Sequence, residues 1–82
     1  MQSKTLIELE REAKAGQLAT MRKDLTTGEI KRGAGKLKVS TRSLYRYFSG
    51  NVKEVRSVDT ANDIIAYFSG VIKKKQKQLA TA

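Results

Sequence analysis

Ala61, Ile64, Ile65, Phe68 and Ile72 recur at i, i+3, i+4, i+7 and i+11, the spacing of one face of an α-helix and not the alternation of a strand. A chain of 82 residues that ends in such a stripe has to supply further helices to cover it. Several earlier segments can do so. Residues 5–14 place Leu6, Leu9 and Ala13 at i, i+3 and i+7, so this stripe is expected to face a core while Glu8, Arg11 and Glu12 stay wet. Leu18, Met21 and Leu25 repeat the spacing beyond Gly16, where the first helix either breaks or makes a close packing contact. Thr26-Thr27-Gly28-Glu29 fits a capping box that starts a helix near Thr27. The same Thr-Gly pair between Leu25 and Ile30 also suits a hairpin whose second strand is 29–32, and both readings stay open at this level. If residues 27–37 are helical, Gly33 and Gly35 weaken the helix by about 1 kcal/mol each relative to Ala, so packing of Ile30, Ala34 and Leu37 must hold it.

Ser40 or Thr41 can N-cap a following helix that runs through Leu44 and Phe48 and stops at Ser49-Gly50, with Gly50 as a left-handed cap. In the connection 51–57, Val52 and Val55 can tuck inward, and Ser57 or Asp59 caps the last helix, for which Gly70 is an alternative stop. The expected fold is therefore all-α: a small helical bundle of four to five helices in a single domain over 1–72, followed by a basic, partly flexible tail over 73–82. Lys73, Lys74, Lys75 and Lys77 are expected to be solvated there, either as a solubilising fringe or as an arm on a polyanion. Tyr67 and Val71 widen the terminal stripe, which hints at a homodimer contact. The repeated tetrapeptide YFSG at 47–50 and 67–70 has unmatched flanks and reads as two uses of one helix ending.

Charge narrows the function classes. Seventeen Lys and Arg against eight Asp and Glu leave a net charge of +9, which attracts polyanions, although a surface kept soluble by lysine is the plain alternative. The charge is unevenly placed: Leu6 to Glu12 holds three Glu and one Arg, whereas Lys31 to Lys53 holds seven basic residues and no acid. With no Cys and no His there are no disulfides and no usual zinc ligand set, and the scattered carboxylates predict no metal and no cofactor. The same absences, with no carboxylate pair in a Gly-rich frame, argue against an enzyme and a small-molecule substrate. GAGKLKVST contains Gly-Lys but not the spacing of a phosphate-binding loop. No apolar run approaches ~18 residues and no signal peptide is recognisable, so the expected setting is the cytoplasm, at the nucleoid, with no membrane partner.

Residues 34–48 then have the layout of a short helix, a tight turn and a second helix. Ala34 is a small residue in the first helix, and Leu37 a large apolar one. Val39 is an aliphatic in the turn, Ser40 a hydroxyl cap, and Leu44 with Tyr47 or Phe48 the anchors of the second helix. With the continuation Ser49 to Asn51 and Val55 to Ala61, this segment resembles the helix-turn-helix of the phage Cro and repressor class and of the lac repressor class, over roughly 30–65. Lys38 stands where the turn of that family usually has Gly, at a left-handed cost of about 1 kcal/mol, and Gly33 stands where it has an apolar residue.

The resemblance implies double-stranded DNA as partner and a reading helix at 41–48. Leu44 and Phe48 point inward, and Thr41, Arg42, Ser43, Tyr45 and Arg46 outward. Thr41, Arg42, Ser43 and Tyr45 are the expected base contacts, with Arg42 suited to a bidentate bond to guanine. Lys36, Lys38, Arg46, Asn51, Lys53 and Arg56 are the expected phosphate contacts before, on and after the reader. The leading expectation is a small sequence-specific transcriptional regulator. The alternatives are a non-specific architectural or RNA-associated binder, against which the missing RNA-recognition aromatic motif and GXXG loop weigh on the RNA side, and a basic protein-interaction module.

Overall fold

The computed structural model describes residues 5–81; residues 1–4 of the expected domain and Ala82 of the expected tail lie outside them. Four α-helices and one short 3-10 turn follow in order: α1 (Leu6–Arg22), α2 (Thr27–Leu37), α3 (Thr41–Phe48), the 3-10 turn Val52–Glu54, and α4 (Val58–Thr81). Among the described residues there is no strand, so the chain is a small all-helical bundle. No helix is long and apolar enough to cross a membrane.

Local chemistry accounts for most boundaries. The Thr5 hydroxyl accepts from the Glu8 amide and starts α1. Thr26 and Glu29 form the full capping box, the Glu29 amide donating to Thr26 Oγ1 at 3.1 Å and the Thr26 amide to Glu29 Oε1 at 2.8 Å, which decides the 26–33 segment as helix rather than hairpin. At the other end of α2, Lys38 adopts φ 58°, ψ 39°, and the amides of Lys38 and Val39 donate back to the carbonyls of Gly35 and Ala34. This pair of bonds is the Schellman ending, here with a lysine in the left-handed position that glycine usually fills. Gly50 takes φ 82° after α3, as its place behind Ser49 suggested. Ser57, not Asp59, caps α4 by accepting from the Thr60 amide.

The core gathers Leu18 and Met21 of α1, Ile30 and Ala34 of α2, Leu44, Tyr47 and Phe48 of α3, Val55 of the connection, and Ala61, Ile64 and Phe68 of α4. Phe68 is its centre: fully buried, it meets the Phe48 ring edge-on at 5.3 Å and the Tyr67 ring at 5.0 Å. Gly33 lies against the same ring, and a Cβ there would come within 2.3 Å of Phe68 Cζ. The space that a side chain at this position would fill is taken by the aromatic of α4, which explains the glycine.

Three expectations are corrected. Leu6, Leu9 and Ala13 do not face the core; all three are exposed, and the buried side of α1 is the one carrying Ala15, Leu18 and Met21. The core is short, and α1 meets it only with its second half. Gly16 and Gly70 break nothing: both sit inside unbroken helices, and a Cβ at either would meet open space. Finally, α4 continues through residues 73–81, and Lys75 is not free in solvent. Its ammonium donates to Glu29 Oε1 at 2.9 Å and to the Asp24 carbonyl at 2.7 Å, tying the end of α4 to the α1–α2 junction. At the opposite end Arg11 Nη2 reaches the Arg56 carbonyl at 3.4 Å, just before α4 begins. With Arg11 near the start of α4 and Asp24 near its end, α1 and α4 run in the same direction, staggered along a body 52 Å long and 26 by 17 Å across.

Candidate nucleic-acid interface

Helix α3 is anchored by Leu44, Tyr47 and Phe48, which are buried against α1, α2 and α4. At 100° per residue, burying these three leaves Arg42 and Arg46 on the outer side one turn apart, and both are exposed. Three residues, 38–40, separate α3 from α2, so Lys36 and Lys38 stand exposed beside the N-terminus of the helix. Beyond its C-terminus, Asn51, Lys53 and Arg56 are exposed as well. All six expected phosphate contacts and the expected guanine contact are therefore at the surface.

The remaining expected base contacts are differently placed. Thr41 is half-buried. Ser43 is also half-buried and engaged in the helix start: its amide donates to Ser40 Oγ at 3.1 Å, and the Ser40 hydroxyl donates to Ser43 Oγ at 2.9 Å. Tyr45 packs partly against the core, and the Arg22 guanidinium lies 5.5 Å from its ring centroid. Asn51 has a structural duty too, its Oδ1 accepting from the Lys53 amide at the head of the 3-10 turn, which leaves its amide NH2 group to contact a ligand.

Arg42, Tyr45, Arg46, Ser49, Asn51 and Glu54 line one open hollow between α3 and the following connection. Two features in and beside it were not foreseen. Glu54 brings a carboxylate to a hollow whose other charged groups are Arg42 and Arg46, and it also borders Ser43, Arg46 and Arg56 on the neighbouring side. Arg22, whose Nη1 donates to the Leu25 carbonyl at 3.0 Å, adds a cation beside α3 from a helix that ends nineteen positions before Thr41. No local spacing signals that approach, because it depends on how α1 crosses α3. Among the described residues no group of His, Cys, Asp or Glu is arranged to hold a metal ion. No protein-family model, curated protein or solved structure matches the chain.

Proposed function

We propose that the chain is a small sequence-specific DNA-binding protein, a transcriptional regulator that reads the major groove of duplex DNA with α3. The observation that carries this reading is the division of α3 into a buried side of Leu44, Tyr47 and Phe48 and an outer side with Arg42 and Arg46 exposed one turn apart, behind a three-residue turn. Arg42, near the helix N-terminus, bonds the O6 and N7 of a guanine, and Thr41 assists at the adjoining step. Arg46, Lys36, Lys38, Asn51, Lys53 and Arg56 hold phosphates on either side, so binding weakens steeply as salt rises. The protein acts in the cytoplasm, at the nucleoid, as a dimer on paired half-sites about one helical turn apart.

One observation favours a second reading. With Ser43 held by the cap and Tyr45 half-buried beside Arg22, Arg42 and Thr41 are the base readers left to each copy. A non-specific duplex binder needs no more than the phosphate set. Selection of bound duplexes from a random pool separates the two, repeated with Arg42→Ala and Lys53→Ala. Specific reading gives an enriched site, a loss of about 1–3 kcal/mol confined to one base position for Arg42→Ala, and uniform weakening for Lys53→Ala. An unenriched pool, or equal weakening on every duplex by both variants, refutes base reading.

A further inference from the structure

Glu54 is the one acid lining either of the two adjoining hollows beside α3. Arg46 lines both as well, with Arg42 on one flank and Arg56 on the other, so Glu54 stands next to Arg46 on the outer side of the helix. Its place is set by the backbone and not by its own side chain: the Glu54 amide donates to the Asn51 carbonyl at 3.0 Å, and the next residue, Val55, is fully buried. The carboxylate is half-buried and has no hydrogen bond or ion pair among the described residues. A half-buried charge without a partner disfavours the fold, and beside phosphates it also lowers affinity. Neither stability nor phosphate binding accounts for an acid at this position.

We infer that Glu54 is a specificity-determining residue that selects cytosine, accepting a hydrogen bond from its N4 amino group in the major groove. The inference rests on the proposed reading of duplex DNA by α3. An ionised carboxylate can only accept. Guanine offers acceptors alone on its major-groove edge, and thymine an acceptor and a methyl group, so both leave the charge unpaired. Adenine sets the N7 acceptor beside its N6 donor, where it faces the second carboxylate oxygen. Cytosine presents a donor without that neighbour. The same charge repels phosphate, so it weakens binding to every duplex and offsets the loss only where a cytosine stands. Arginines that attract any polyanion thereby acquire a preference among sequences.

Duplex selection from a random pool with Glu54→Gln and Glu54→Ala tests it. Helical circular dichroism is retained in both, because the bonds of the 3-10 turn are made by its backbone and by Asn51. The unsubstituted chain is expected to prefer cytosine at one base position by about fivefold or more. Glu54→Gln, which presents a donor beside its acceptor, moves the preference at that position to adenine. Glu54→Ala levels it, and binds random-sequence duplex about twofold or more tightly at low salt. An enriched site that keeps its cytosine in Glu54→Gln, or that gains no adenine there, overturns the inference and leaves the reading of DNA by α3 standing. Loss of preference at every position in Glu54→Ala also overturns it, since Glu54 then acts through the arginines. A pool that the unsubstituted chain does not enrich rejects base reading itself, and Glu54 with it.

Discussion

Gly33→Ala and Gly35→Ala, two positions apart on α2, should differ in stability, with only the second stabilising. Alanine raises helix propensity by about 1 kcal/mol at either site, so this contribution cancels in the comparison. What remains is the room for one methyl group. At Gly35 a Cβ meets nothing within 4 Å. At Gly33 it falls 2.3 Å from Phe68 Cζ, 2.8 Å from Phe68 Cε1 and 3.0 Å from Tyr67 Cε1. The Phe68 ring cannot swing away, being fully buried between Phe48 and Tyr67 in edge-on contact with both, so the helix backbone or the aromatic cluster has to move. Overpacking of this kind costs about 1–3 kcal/mol. Gly35→Ala is therefore expected to stabilise by about 1 kcal/mol, and Gly33→Ala to be neutral at best and destabilising by about 2 kcal/mol at worst. For a domain of this size each kcal/mol is worth about 4–8 °C, so the two melting temperatures should differ by at least several degrees. Paired thermal and urea unfolding of the two variants decides the matter. Equal stabilisation by both would falsify the account of Phe68 as the reason for the glycine.

Other expectations concern the turn, the capping box and the proposed DNA contacts of α3. Lys38→Gly relieves the left-handed strain at φ 58° and should raise the unfolding free energy by up to about 1 kcal/mol, read as a higher urea midpoint; a loss would mean that the lysine is not strained there. The Glu29 carboxyl is held below its ordinary value of 4.5 by the Thr26 amide first and by the Lys75 ammonium next. A lowered folded-state pKa gives stability that is present above the ordinary value and is lost as pH falls through the folded one, so the advantage over Glu29→Gln should shrink in acid below pH 4.5. A difference that stays constant across that range removes the charge from the explanation. In the duplex selection, Arg42→Ala should relax one base position while Lys53→Ala lowers affinity evenly and makes the salt dependence shallower.

Much of the site's framework could be read residue by residue. The capping box at Thr26 and Glu29, the Ser40 cap, the left-handed Gly50 and the inward Leu44 and Phe48 are all local, each set by a hydrogen bond or a periodicity spanning at most one or two turns. Lys38 is informative in the same way. The chain places a costly residue at the left-handed position, and the turn forms regardless, because the bonds to Ala34 and Gly35 and the packing of α2 on α3 over-determine it. The availability of particular polar groups was not legible. Ser43 and Tyr45 lie on the segment expected to face outward, yet a neighbouring cap and the approach of α1 occupy them.

The terminal stripe, the caps and the uneven charge determined by themselves that this chain is mainly helical, about where α1, α3 and α4 start, and that the segment around α3 is basic, while the helix at 27–37 stayed open against a hairpin. Tertiary structure alone decided which stripe of α1 is buried, that Gly33 makes room for Phe68, that Lys75 binds Glu29 and Asp24, and that Arg22 reaches Tyr45. The physical reason is one of range. Capping and amphipathic spacing act within a few residues. Which apolar face wins the core depends on the length and stagger of helices distant in the chain, and a small core cannot cover every stripe the sequence presents.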